Sequence, residues 1–525
     1  MAQTLPLFLL ITCLLLIPSS QIQQEQEAFT TIVISQQGLD FLKNLLITQA
    51  ISSIIPLKLP NITKTAKIPF LGNVRMLLSN ITIYQLQVLN SYVKPGDTGL
   101  AIIASGTTCN LSMDWSYEYN TWIFPVEISD KGHASVQVEG MEVGLTLGLK
   151  NQEGTLKLAL MDCGCYVKDL SIKLDGGASW VYQGMIDAFE EQIGSAVENA
   201  ITKNLGEGIL KLDLFLQSLP KEIPVDDDAS INVTFVDNPS LSNSSVGFDI
   251  NGLFTARKKV PIPMYYYKNT LPSVLCTEPA KMLGISLDEA VFNSASALYY
   301  DRQKHVETDH WNSHLLLLLL KSVLLAKPVA KFMQWIVDKI PDQSLLNTAG
   351  WRFIVPQLYK KYPNDDMNMN LTLSSPPILK ISEHNLDATV YADLIIDVLE
   401  ADQVIPVACI SLVIRGSGSV GIAGNNLVIR GSGSVGIAGN NLVGSVKLND
   451  FSMSLKWSNI GNLRMYLIQP LMWTLIQTVF VPNANTHLAK GFPLPIIHGF
   501  TVQNAEIIFS RSKITVCGDV VFGES

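Results

Sequence analysis

This chain is poor in charge. Only 16% of its 525 residues are Asp, Glu, Lys or Arg, and acids outnumber bases to a formal net charge of −9. A nucleic-acid-binding protein normally presents a basic face, so no nucleic-acid partner is expected. The same balance argues against global attraction to an anionic membrane. Signatures of catalysis are missing too. There is no G-x-S-x-G nucleophile elbow, and Cys163-Gly-Cys165 is C-x-C where a thioredoxin-like site needs C-x-x-C. His310 and His314 share a helix face, but no Cys, Asp or Glu is spaced to complete a zinc set, and a solvated helix start is preferred. The expectation is therefore no enzyme, no metal and no cofactor. Long apolar runs are scarce as well. Residues 5–17 are too few to span a bilayer, and the run at 315–320 is cut by Lys321 and ends at Lys327-Pro328, which reads as a buried helix. No other stretch qualifies as a transmembrane helix on this reading.

What is abundant is apolar surface. Apolar residues make up 47% of the chain and mean hydropathy is +0.25, more apolar lining than a core of this size needs. At this length one core is not enough, and two or more domains are expected. The run at 5–17, followed by Pro18-Ser-Ser20 and polar residues 21–27, reads as a signal peptide cleaved near Ser20, although no Lys or Arg precedes it. A secreted, extracellular protein follows. Cys13 leaves with that segment, and an even set remains for disulfides: Cys109, Cys163, Cys165, Cys276, Cys409 and Cys517. Six N-x-S/T acceptors suit the same compartment: Asn61, Asn80, Asn110, Asn232, Asn243 and Asn370.

Periodicity gives the organisation. Residues 38–55 carry an apolar stripe at helical spacing, and so do residues 180–205, where Val181, Met185, Phe189, Ile193, Val197, Ile201 and Leu205 recur every four. Between them extended segments dominate. In 136–147 the apolar residues sit on even positions up to Val138 and on odd ones from Met141, which a strand achieves only by a β-bulge near Gly140. The same switch recurs in 446–457, between Leu448 and Phe451. Two long strands with one signature imply two related halves. The second half adds helices at 351–361, interrupted by Pro356, and at 467–488, broken by Pro470 and Pro482. Residues 220–279, rich in proline and crossed by alternation such as Ile231, Val233 and Phe235, read as a connecting sheet plus linker. Residues 412–426 (LVIRGSGSVGIAGNN) recur identically at 427–441, a tandem copy expected to add a hairpin or irregular excursion. It creates two formal G-x-G-x-x-G strings, but turn chemistry follows them instead of a helix, so no dinucleotide site is expected. The segment from Asp114 through Trp115, Tyr117, Glu118 and Tyr119 to Trp122 is acidic and aromatic. Its rings either stand exposed at a membrane-facing tip or cap a barrel end.

The chain resembles the bactericidal/permeability-increasing and lipopolysaccharide-binding proteins, a family that includes phospholipid and cholesteryl-ester transfer proteins. The segments carrying the resemblance are Ile34-Ser-Gln-Gln-Gly38-Leu-Asp-Phe41, Ile68-Pro-Phe-Leu-Gly72, Gly284-Ile-Ser-Leu-Asp288 with Phe292-Asn-Ser-Ala-Ser296, Ser374-Ser-Pro-Pro377, Lys456-Trp-Ser-Asn-Ile-Gly461, Lys490-Gly-Phe-Pro-Leu-Pro495 and Gly518-Asp-Val-Val-Phe522. They span nearly the whole chain in the family's order. The resemblance implies an α+β boomerang of two similar barrels, each a highly twisted antiparallel sheet with long helices, joined by a central antiparallel sheet. The boundaries it suggests are 1–20 for the signal peptide, 21–219 for the N-terminal lipid-binding barrel, 220–285 for the central sheet and linker, 286–492 for the C-terminal barrel and 493–525 for returning strands. It further implies a monomer that holds phospholipid or lipopolysaccharide acyl chains in apolar pockets, meets a membrane or lipid-particle surface transiently, and serves defence against bacteria. Lipid transfer between membranes is the alternative, and a lipid-acting enzyme a remote one. Family members that bind lipopolysaccharide carry cations at the N-terminal tip; here that stretch is the acidic-aromatic one, leaving Lys58, Lys64 and Lys67 in the neighbouring loop as headgroup candidates beside Trp115, Tyr117, Tyr119 and Trp122. The family also ties a strand to the long helix by a disulfide. Cys163 or Cys165 matches the strand side, the helix offers no cysteine, and Cys109 is the expected partner.

Overall fold

Alternating apolar residues and one four-residue stripe shape the N-terminal half. The computed structural model describes residues 27–68, 72–97, 99–120, 127–175, 179–226, 229–256, 276, 281–306, 347–400, 403–419, 435–438, 441–489, 492–496 and 499–523. Helix α1 (Gln36–Ile54) opens on Ser35, whose hydroxyl accepts from the Gly38 amide at 3.3 Å. Strands β1 (Ile62–Ile68), β2 (Gly72–Gln87), β3 (Gly99–Asn120), β4 (Glu127–Gln152), β5 (Thr155–Tyr166) and β6 (Asp169–Asp175) follow, then helix α2 (Ser179–Ser218). The strands belong to one antiparallel sheet in the order β2-β3-β4-β5, with β1 on β2 and β6 on β4. Its inner face is read directly from period-two alternation: Val74, Met76 and Leu78 on β2, Leu111 and Met113 on β3, Val136 and Val138 on β4 are all buried. The stripe Phe189, Ile193, Val197 and Ile201 of α2 closes that face. Each such side chain contributes about 1.5–3 kcal/mol on burial. The helix runs well past residue 205 because Asp213 pins its far end, accepting from the Leu158 amide of β5 at 2.7 Å.

The bulge lies where parity places it. Thr107 of β3 stands opposite Met141 and Cys109 opposite Val138, so one residue faces two, and Gly140 takes φ +65°. Both Val138 and Met141 therefore point inward.

The C-terminal half repeats the plan with helix α3 (Glu289–Val306), helix α4 (Pro356–Lys361), strands β7 (Asp366–Leu373), β8 (Asn385–Glu400), β9 (Gln403–Ser419) and β10 (Lys447–Ser458), and a long helix made of α5 (Met465–Leu475), a π turn (Ile476–Phe480) and α6 (Val481–Leu488). The sheet order is β7-β8-β9-β10. Its bulge also follows the sequence: Arg415 pairs with Asp450 and Gly416 with Leu448, leaving Asn449 as the extra residue. A second bulge was not legible. Ile410 pairs with Leu455 but Cys409 with Trp457, and the slip turns Trp457 outward to 38% exposure.

Three readings need correction here. The expected helix at 351–361 begins only at Pro356; before it, turns carry the fully buried Trp351, and proline sits where its missing N–H costs nothing. Nor do Pro470 and Pro482 break the second helix. Pro470 lies within α5, and ahead of Pro482 the chain widens to a π turn in which the Val481 amide bonds to the Ile476 carbonyl, easing the ring past the preceding turn. By length and composition Met465–Thr486 is also sufficient to cross a membrane, which a search for unbroken apolar runs passes over. Here Ile468, Met472 and Ile476 pack it onto the sheet instead. The 315–320 run, His310, His314, Trp122 and the signal segment lie outside the described residues.

The two halves share a six-stranded antiparallel sheet in the order Ser240–Leu241, Ser245–Ile250, Thr30–Ser35, Leu283–Asp288, Lys513–Phe522, Phe500–Ser510. Strands from both ends of the chain thus meet in the middle, and the architecture is the α+β pair of curled sheets joined by a central sheet. Cys276 is bonded to Cys517 of this sheet, with Cα atoms 5.8 Å apart. A Cβ at Gly284 would lie 2.8 Å from the Cys276 sulfur, so only glycine admits the bond there. The expected pairing of Cys109 with Cys163 or Cys165 is corrected: all three are free thiols. Cys109 lies on β3 and the other two on β5, with β4 between them. Two strand spacings are about 9.5 Å, beyond the roughly 7 Å that a disulfide bridges.

The tandem copies part company. Residues 412–419 of the first lie in β9. The second supplies strand Val435–Ala438, which pairs with Asn441–Gly444 as a hairpin in a separate three-stranded sheet with Phe492–Pro493.

Trp115 is 6% exposed within the N-terminal core and donates from Nε1 to the His133 carbonyl at 3.1 Å. Its replacement by Ala is expected to destabilise the protein by about 3–5 kcal/mol, as large aromatic truncations do. Denaturant unfolding of the Trp115→Ala variant measures this, and an unchanged midpoint would remove Trp115 from the core.

Candidate lipid cavity and the barrel tip

Between β8–β9 and the α5–α6 helix the C-terminal sheet encloses a cavity of about 210 Å³. The sheet supplies Val390, Leu412 and Ile414, the helix Met472, Ile476 and Phe480, and α3 supplies Phe292. At the centre of the wall the smallest cross-strand pair, Ala388 opposite Gly416, leaves room that larger residues would fill. The cavity wall offers almost no polar chemistry. The Ser296 hydroxyl is already spent on the Pro377 carbonyl at 2.6 Å, and Lys447 is exposed. Such a lining holds alkyl chains and gives a polar group nothing to bind. Sequence reasoning missed these residues individually. The available signal was residues 465–489, which contain no Asp, Glu, Lys or Arg.

The distal end of the N-terminal sheet holds the residues singled out above. Trp115, Tyr117 and Tyr119 follow one another along one face of β3, with ring centroids 6.1 and 6.2 Å apart. Trp115 is buried in the core, and Tyr117 and Tyr119 are partly buried against it. Asp114, on the other face, accepts from Asn80 Nδ2 at 2.7 Å and pairs with His133, and these contacts, that of Asn80 foremost, hold its carboxyl below the usual range. Arg75 pairs with Glu118 at 3.3 Å, both exposed, so the surface here carries both signs. Lys58 and Lys67 are exposed and Lys64 is half-buried. Lys64 and Lys67 are three apart on β1, which puts them on opposite faces, so the structure does not gather the three lysines into one cradle.

The remaining candidates are scattered. Asn61, Asn80 and Asn243 are exposed, whereas Asn110, Asn232 and Asn370 are half-buried. Asn370 Nδ2 donates to Asp397 Oδ2 at 2.7 Å, the partner of a carboxyl that burial pushes up. Burial likewise pushes the Cys109 and Cys165 thiols up to about 12, so both stay protonated and unreactive.

Two curled sheets closed by long helices around an apolar cavity define a lipid-binding fold. The profile of the LBP/BPI/CETP family matches this chain twice, its N-terminal domain over residues 38–219 and its C-terminal domain over residues 318–522. The chain belongs to that family. A BPI/LBP family protein of Arabidopsis thaliana is 58% identical over 519 residues, covering 99% of this chain and 97% of that relative. Human lipopolysaccharide-binding protein is 23% identical over 456 residues, 85% of this chain and 84% of its own length. The crystal structure of a lipopolysaccharide-binding protein superposes with a TM-score of 0.59 at 18% identity, covering 94% of this chain and 99% of that one.

Filling the cavity tests its use. Ala388→Phe adds only apolar volume beside Gly416 and is expected to abolish uptake of a fluorescent fatty acid while the protein stays folded. Undiminished uptake by a folded Ala388→Phe protein would show that the ligand sits elsewhere.

Proposed function

We propose that this protein is a secreted, glycosylated, non-enzymatic carrier that holds phospholipid acyl chains in its apolar barrel interior. The observation that carries the reading is the cavity itself, lined by apolar side chains that leave space unfilled, with Ser296 already bonded and Lys447 exposed. Burial of alkyl chain is worth about 0.8 kcal/mol per CH₂, so capture of a lipid needs no catalytic group. Membership of a lipid-binding family supports the same reading. Lipopolysaccharide, which human lipopolysaccharide-binding protein is named for, is the alternative ligand, and a role in defence against bacteria would come with it. The mixed charges around Asp114, Arg75 and Glu118 favour phospholipid over lipid A phosphates. The predicted signal segment and sequons support secretion as a glycoprotein.

Organic extraction of the secreted protein followed by lipid mass spectrometry is expected to yield stoichiometric phospholipid. A lipid-free extract from folded protein would overturn the proposal, and lipid A in its place would select the alternative. Glycopeptide mapping of the same material is expected to find glycan on exposed Asn61 and Asn243 and none on Asn370. A sugar on Asn370 would strip the buried Asp397 of its hydrogen bond.

A further inference from the structure

The long C-terminal helix is unusual on its outward side. A helix packed on a globular core normally carries charge there, and α2 does, with Glu190, Glu191, Lys203, Glu207 and Lys211 exposed. Residues 465–489 carry none. Among the described side chains the exposed positions are Tyr466, Pro470, Thr474, Thr478, Pro482 and Thr486 at a spacing of four, together with Gln469, Gln477 and Ala489. A spacing of four drifts by about 40° per step around an α-helix. The π turn at Ile476–Phe480 winds less per residue and takes back part of that drift, which keeps the stripe on one side.

The threonines do not offer their hydroxyls to water. Thr474 donates to the Pro470 carbonyl at 3.0 Å, Thr478 to Thr474 at 2.7 Å and Thr486 to Pro482 at 3.1 Å. Along this stripe the threonines thus present methyl groups beside the proline rings with their own hydroxyls satisfied internally, while Tyr466, Gln469 and Gln477 add polar groups suited to the interfacial zone.

At the start of this helix cations predominate, the nearest acids in sequence being Asp365 and Asp366, which bond to Thr348 and Asn347. Lys361 donates to the Asn459 carbonyl at 3.5 Å, which brings α4 and the preceding turns against the loop leading into α5. Segments 347–362 and 459–489 together contain Arg352, Lys360, Lys361 and Arg464, all exposed, and no acid. Phe353 is 74% exposed beneath the Arg352 guanidinium, 4.6 Å from its ring, and Tyr466 is 67% exposed. Cations beside exposed aromatic rings complement the anionic headgroups and interfacial depth of a bilayer.

We propose that the outer face of the α5–α6 helix, anchored by Phe353, Tyr466 and the four cations at its start, docks in the plane of an anionic phospholipid bilayer. The inference rests on the lipid-holding reading for its purpose, since Met472, Ile476 and Phe480 on the reverse of the same helix line the cavity. Docking then places the cavity wall against the source of its lipid. The helix lies in the interface, with one face on the bilayer and one on the cavity.

The test is co-sedimentation with phosphatidylcholine vesicles with and without phosphatidylserine, paired with lipid extraction of each protein. The wild-type protein is expected to bind the phosphatidylserine vesicles, more weakly as salt rises. Replacing Arg352, Lys360, Lys361 and Arg464 with Gln is expected to weaken binding at least about tenfold. Thr474→Asp with Thr478→Asp charges the outer face without touching the cavity, and is expected to abolish binding while extracted lipid stays at the wild-type level. Wild-type protein that ignores phosphatidylserine vesicles, or an aspartate variant that binds them as well as wild type, overturns the docking surface. Vesicle binding lost on the aspartate substitutions, in a protein whose extracts contain no lipid, upholds the docking surface and removes the carrier reading instead.

Discussion

Each half of this protein depends on closing a curled antiparallel sheet with one long helix. The sheet's inner residues cannot face water, and no second sheet covers them. In the N-terminal half the stripe Phe189, Ile193, Val197 and Ile201 meets Val74, Leu111 and Val138, and the seam packs as a core. In the C-terminal half Ile468, Met472 and Ile476 do the same for Leu394, Ile410 and Leu412 at one end of the helix. Beside Met472 and Ile476 the facing wall residues shrink to Ala388 and Gly416, and the same seam opens into a cavity. Core and binding site are one interface, separated by side-chain size.

The bulges make the curl possible. A sheet wrapped around a helix bends most where a strand gains a residue, and both long strands do so at the point where the apolar register changes parity. That feature was legible because parity is a property of the sequence itself: Val138 to Met141 and Leu448 to Phe451 cannot all face inward without an extra residue. The slip at Lys456 was hidden because Leu455 and Trp457 keep the same parity across it, so nothing in the pattern shows that one points in and the other out. Prolines misled for a related reason. Pro470 and Pro482 are breakers by local chemistry, yet packing of the stripe on both sides of them outweighs the loss of single hydrogen bonds, with a π turn absorbing the misfit. The fold class, by contrast, needed only the order of the resembling segments.

Sites were less legible than fold. The aromatic run from Trp115 to Tyr119 reads equally as a tip or a core from sequence, because a strand puts alternate residues on both faces, and only the closing helix decides which face is dry. Cysteine pairing was misplaced because it turned on strand order: Cys109 and Cys165 look adjacent until β4 comes between them. The cavity itself has no motif. Its residues come from several strands of the C-terminal sheet, helix α3, the long C-terminal helix, a hairpin and the central sheet, nearly all of them ordinary apolar positions in their own elements.

The tandem copy shows how this architecture protects its cavity. A fifteen-residue shift is odd, so a strand that absorbed it in register would turn Leu412 and Ile414 from the cavity to the solvent face. The chain keeps residues 412–419 of the first copy in β9, where Ala388 and Val390 fix them from the neighbouring strand. The described part of the second copy joins a separate small sheet, from which Leu442 and Val443 return to the cavity wall. Inward-facing apolar residues therefore specify the register of β9 strongly.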